Sequence, residues 1–164
     1  MYKTSGFRGL SAAQREIITH WNTVRGDRVM PDKSDIDPGT LRAHLGSISI
    51  VEIDRWGEAR FRIAGTKLRQ IFGGEVRGLS LKEIAPDKAE MWSLGLSASH
   101  ERGEPVGGII ERRFDRHAWL RLPLHPGPGF SGLVLCHDLI LVPEKQDDPD
   151  RSSLFSTISG SLAA

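Results

Sequence analysis

Apolar positions recur along this chain with two different periods, and the switch between them is sharpest at Gly65. Before it, Arg60, Phe61, Arg62 and Ile63 alternate polar with apolar, as a half-buried strand does. After it, Leu68, Ile71 and Phe72 share one face of a short helix, with Thr66 as the expected cap and Gly73 as the stop. The same logic places the other elements. Ser11 with Gln14 forms a capping box, and Ile17, Ile18, Trp21 and Val24 make the apolar stripe of a helix ending near Gly26. Asp37-Pro38 predicts a short helix carrying Leu41 and Leu45 and stopped by Gly46. Residues 48–53 and 59–64 predict a hairpin turning at Arg55-Trp56-Gly57. Ser80 with Glu83 predicts a helical turn ended by Pro86; Asp87 with Glu90 opens a longer helix through Met91, Trp92, Leu94 and Ala98 toward Gly103. Residues 106–114, 118–124 and 130–142 predict three more strands, parted by turns at Asp115-Arg116-His117 and at Pro126-Gly127-Pro128-Gly129.

Short connections favour antiparallel pairing everywhere except across the central helices. The expected class is therefore α+β: a five-stranded antiparallel sheet with helices on one face, preceded by an amphipathic N-terminal helix. That helix must bury its stripe against its own sheet or against the same helix of a second subunit, and either is physically satisfactory. The expected organisation is an N-terminal helical segment at 1–46, a sheet-bearing domain at 47–142, and a polar tail at 143–164 in which Leu154, Phe155 and Ile158 are the apolar anchors.

Composition narrows the function classes. At 164 residues the chain fits one domain able to bury a core without disulfides. Its 22 basic and 21 acidic side chains give a net charge of +1, so no global field draws it to nucleic acid or to anionic lipid. The first ten residues lack the apolar core of a secretion signal, and no window suits a membrane span. A single cysteine, Cys136, rules out an intramolecular disulfide and fits a reducing, cytoplasmic setting.

Catalytic and metal chemistry find little support. The six histidines, His20, His44, His100, His117, His125 and His137, include no pair at a zinc-binding spacing. His137 and Asp138 are neighbours on a strand and so point to opposite faces, which denies them the roles of base and orienter. Gly73-Gly74 and Gly107-Gly108 lack the lysine-bearing context of a phosphate loop. No catalytic residue and no metal ligand is assigned, and the expectation is a non-enzyme.

Two motifs carry a family resemblance. One is Trp21, Arg25-Gly26, Arg28, Met30-Pro31 and Asp35-Ile36-Asp37-Pro38; the other is Phe61-Arg62-Ile63-Ala64-Gly65-Thr66 followed by Phe72-Gly73 and Gly78, with Leu122-Pro123-Leu124 further on. In this order they resemble the alphaproteobacterial PAS-like family often met as small stand-alone proteins, over roughly residues 21–142. The resemblance implies a sensory or protein-interaction module, a small signalling regulator whose output is binding to another protein, with a homodimer through the helix or the outer face of the sheet. It also implies a cavity between sheet and helices, for which Phe61, Ile63, Leu68, Ile71, Phe72, Met91, Leu120, Leu122 and Leu135 are the wall candidates, all equally able to be solid core. A haem, nucleotide or other small-molecule sensor is the alternative; the cofactor is left open, and no flavin-reactive cysteine motif surrounds Cys136.

The contact candidates are aromatic residues beside arginines. Trp56 stands with Arg55 and Glu58 at a hairpin tip, Trp119 shares a strand face with Arg121, and Trp21 adjoins Arg25 and Arg28. Isolated exposed apolar residues are ordinary, however, and Arg25, Arg28, Asp35 and Asp37 equally suit a cap with ion pairs that dock the first helix.

Overall fold

The first helix starts where its capping box places it. Ser11 Oγ accepts the Gln14 N–H at 3.1 Å and Gln14 Oε1 accepts the Ser11 N–H at 3.3 Å, opening α1 (Ala12–Arg25). The computed structural model of the chain describes residues 10–143, so the expected tail lies outside the described residues except for its first position. After single helical turns at Lys33–Asp35 and Arg42–Ser47 come the strands β1 (Ile48–Asp54) and β2 (Ala59–Ala64). A turn at Thr66–Leu68 leads into α2 (Arg69–Phe72), and a further turn at Leu81–Glu83 precedes α3 (Pro86–Arg102). Three strands end the fold: β3 (Val106–Glu111), β4 (Arg116–Leu124) and β5 (Phe130–Leu141).

The five strands form one antiparallel sheet in the order β2-β1-β5-β4-β3. Alternation along each strand sends side chains to two faces, and both faces are covered. On one lie Ile48, Ile50, Leu120, Leu122, Leu124, Leu133 and Leu135, closed over by Ile17 and Trp21 of α1 and by Leu41. On the other lie Val51, Phe61, Val134 and Cys136, closed over by Leu68, Ile71, Trp92 and Leu96 from α2, α3 and the turn before α2. Of the two uses open to the α1 stripe, the fold takes its own sheet: Ile17 is 1% and Trp21 3% exposed, and the indole N–H donates to the Pro123 carbonyl at 2.8 Å.

One local expectation is corrected. Thr66 does not cap the helix after β2; Gly65 holds the cap position, and no side chain supplies the cap hydrogen bond. The reason is space, since a Cβ on Gly65 would lie 2.4 Å from the Gly46 carbonyl oxygen and 2.5 Å from that of Leu45. The buried stripe of α3 is Trp92, Gly95, Leu96 and Ser99, whereas Leu94, one of the apolar residues that trace the helix in the sequence, is 68% exposed. Spacing by three and four fits both sets, and contact with the sheet decides between them.

Gly65→Ala is expected to cost about 2–3 kcal/mol, because a methyl group there meets backbone that cannot step aside. Gly74→Ala, whose methyl group meets open space, is expected to be near neutral. Urea midpoints of the two variants make the comparison.

Candidate functional site

Beneath α3 the sheet sets a charged cluster within its apolar wall. Arg121 of β4 is fully buried and grips Asp138 of β5 with both terminal nitrogens, Nη1 to Oδ2 at 3.0 Å and Nη2 to Oδ1 at 3.1 Å. His117 Nε2 lies 2.7 Å from Asp138 Oδ1; an ionised carboxylate only accepts, so the ring donates from Nε2. Burial works against the guanidinium charge, but Asp138 beside it outweighs burial and raises the Arg121 pKa above its ordinary value. The guanidinium carbon sits 4.1 Å from the centre of the Trp92 ring and 5.6 Å from that of Trp119, so two aromatic faces replace water around it. The close approach of α3 depends on Gly95, where a Cβ would come within 3.1 Å of the Trp119 ring and 3.2 Å of Arg121 Cγ.

The rest of this interior is filled with rings. Phe61, Phe72 and Trp92 meet at centroid separations of 5.6, 5.5 and 5.0 Å, each pair inclined rather than stacked flat. Clefts of about 820, 500 and 140 Å³ open on the molecule, and none is lined by Phe61, Phe72, Trp92 or Arg121. Cys136 lies in the same interior, its thiol pushed up to about 11 by burial, which keeps it protonated and inert.

The structure divides the expected cavity wall into three groups. Phe61, Leu68, Ile71, Phe72 and Met91 share the α3 side of the sheet. Leu120, Leu122 and Leu135 are buried on the α1 side, so they cannot line the same space. Ile63 is 42% exposed and belongs to neither wall. A β-bulge explains it: Val51 pairs with Phe61 but Ile50 pairs with Ile63, so the extra residue breaks the two-residue alternation that would put Phe61 and Ile63 on one face.

The contact candidates divide as well. Trp21 and Arg121 are buried, and Trp119 packs against Gly95 and Gly108, so none of them forms a solvated patch. Arg28 pairs with Asp35 at 2.8 Å and Asp32 at 3.3 Å and donates to the Val24 and Arg25 carbonyls, which ties down the chain leaving α1. Arg25 lies over the Trp21 ring and donates to Asn22 and to the Arg28 carbonyl. Of the three tryptophan candidates, Trp56 is the one presented to solvent, at 79% exposure, on a turn held by Asp54, whose Oδ1 accepts the N–H groups of Trp56 and Glu58 at 2.9 Å each. The groove of about 500 Å³ beside this turn runs between Gly57, Glu58, Ala59 and the α3 residues Ser93, Leu96, Ser97 and His100.

The PAS domain family model matches residues 10–102, more than half of the chain. This chain belongs to the PAS domain family. No curated protein matches it. Among solved structures it is similar to a fungal LOV domain photoreceptor, at 15% identity and a TM-score of 0.39, covering 66% of this chain and 94% of that one. It is also similar to an RNA-binding light-oxygen-voltage receptor, at 18% identity and a TM-score of 0.39, covering 79% of this chain and 41% of that one. A third is a sensory box histidine kinase/response regulator from Burkholderia thailandensis E264, at 16% identity and a TM-score of 0.36, covering 76% and 97%.

In this PAS domain the charged cluster escaped the sequence reading. Adjacent His137 and Asp138 do face opposite sides, yet Asp138 finds other partners, His117 and Arg121, both on β4. The available signal was the four-residue spacing of His117 and Arg121, which sets them on one strand face; the register that brings Asp138 opposite Trp119, midway between them, is not written locally. Among the described residues no group of three or more His, Cys, Asp or Glu could hold a metal ion, and no helix is long and apolar enough to cross a membrane.

Removing one partner strands the other charge in the interior. Asp138→Leu is therefore expected to cost about 3–5 kcal/mol, while the double variant Arg121→Met/Asp138→Leu is expected to be more stable than Asp138→Leu alone. Denaturant unfolding of the single and double variants measures both.

His137, on the α1 face, has no hydrogen-bond partner among the described residues for either ring nitrogen, and burial lowers its pKa from 6.5 to about 4. Unfolded chains take up the proton near pH 6.5 and folded chains only near 4, so stability is expected to fall by roughly 3 kcal/mol as pH drops through that window. In His137→Leu that contribution disappears, and urea midpoints followed from pH 7.5 to about 4 show the difference.

Proposed function

We propose that this PAS domain is a non-enzymatic protein-interaction module, a small cytoplasmic signalling regulator of the alphaproteobacterial branch that its 21–38 segment resembles. One observation carries the reading: beneath α3 the rings of Phe61, Phe72 and Trp92 meet one another and the Arg121–Asp138 pair, so this part of the interior is filled, and the groove of about 500 Å³ beside α3 is not lined by them. Contact at the surface is then the available output. Trp56 suits it, because a large amphipathic ring on a turn already ordered by Asp54 loses little entropy when a partner covers it. Arg55 lies 4.8 Å over that ring and adds a charge at the same point. The adjoining groove, partly apolar through Ile53, Leu81 and Leu96, gives a partner segment somewhere to lie.

The purified protein is expected to show, in a native mass spectrum, the sequence mass or a whole multiple of it, and no visible absorbance. Extra mass lost on denaturation would overturn the packed-module reading and favour a small-molecule sensor. Trp56→Ala is expected to leave stability within about 0.5 kcal/mol while removing cross-linking to the protein's partner in cells; a variant that keeps the partner excludes this turn as the contact.

A further inference from the structure

The two outer strands of the sheet are treated differently. Along β2 the outward backbone is occupied: the Phe61 N–H donates to the Leu79 carbonyl at 2.9 Å, the Phe61 carbonyl accepts from the Gly78 N–H at 2.7 Å, and Arg60 forms a bridge with Ser80. Along β3 the inner side pairs with β4, but among the described residues no strand or loop pairs with the outer side. Its sequence guards it only at the ends. From Val106 to Ile110 there is no charge, and the usual means of keeping an open edge from pairing stand only at Pro105, before the strand, and at Glu111, its last residue. Gly107, Gly108, Ile109 and Ile110 are all part-exposed.

We propose that two copies of this chain join through β3, edge to edge and antiparallel, into one continuous sheet with its two-fold axis at Gly108. The strand is complementary to itself in that register. A two-fold pairing at Gly108 sets Gly107 opposite Ile109, Val106 opposite Ile110, Pro105 opposite Glu111, and Glu104 opposite Arg112 of the second copy, each pair occurring twice. Small thus meets large, apolar meets apolar, and acid meets base at both ends. Moving the axis one residue in either direction destroys the match: centred on Gly107, Glu104 would face Ile110; centred on Ile109, Val106 would face Arg112. Glu104 is exposed and stands just outside the strand, while Arg112 already leans on Asp115 within its own chain, which holds it at the strand end. The first-helix and sheet-face dimers implied by the family resemblance are not needed, because α1 already spends its apolar stripe on the sheet. The inference does not depend on what Trp56 contacts.

Sedimentation equilibrium of the full chain tests it, together with hydrogen exchange at low and high protein concentration. The expected result is a monomer–dimer equilibrium in which amides of 106–111 slow as concentration rises. Glu104→Arg sets like charges opposite each other twice and is expected to weaken the dimer about tenfold, and Glu104→Arg/Arg112→Glu is expected to restore it. A chain that stays monomeric at every concentration overturns the proposal. So does a dimer that ignores the swaps, which places the contact elsewhere, and so does concentration-independent protection of β3, which means that the chain covers its own edge.

Discussion

A carboxylate cannot stand bare in an apolar interior, and Asp138 sits in the middle of one with a fully buried side chain. Everything packed on that face of the sheet follows from how its charge is answered. Arg121 supplies two hydrogen bonds and the opposing charge, and His117 supplies a third bond. Arg121 in turn needs cover, which Trp92 and Trp119 provide by laying their rings beside it. Trp92 can do so only because α3 comes very close, and α3 comes close only because residue 95 is glycine. The position of the longest helix is therefore set by an ion pair.

A pair this deep adds little net stability over apolar packing of the same size, but it punishes any change that would separate its members. The rings of Phe61, Phe72 and Trp92 pack against one another and fill this part of the interior. The surfaces of this PAS domain are uneven. Exposed charges such as Arg28, Arg62 and Arg69 are paired locally, and Trp56 is exposed on a turn ordered by Asp54. A second asymmetry of the same sheet is that β2 is covered along its outer edge, whereas among the described residues nothing pairs with that of β3.

How much was legible in advance varies with the range of the force involved. Ser11–Gln14, Ser80–Glu83 and the hairpin around Gly57 behave as local chemistry requires, because each is settled within three or four residues. The five strands and the antiparallel pairing within the β1–β2, β3–β4 and β4–β5 hairpins also follow from alternation and short turns, whereas the β1–β5 pairing that fixes the sheet order does not. Trp119 and Arg121 were rightly set on one strand face, yet whether that face met water or a helix depended on α3, some twenty residues away. Ile63 failed for another reason: nothing in Arg62-Ile63 announces the bulge, which arises from fitting β2 against β1.

By itself the sequence determined the elements, their class, the absence of a strong net charge and the stripe that α1 had to bury, since periodicity, caps and composition act through neighbours or through sums over the chain. Tertiary structure alone decided which sheet face each leucine joined, that Asp138 would pair with Arg121 and His117 rather than with anything near it in the chain, and that the β2 edge would be covered by the segment around Gly78 to Ser80. Those outcomes depend on strand register and helix placement, and both are fixed by contacts between residues far apart in sequence, where no local pattern reaches.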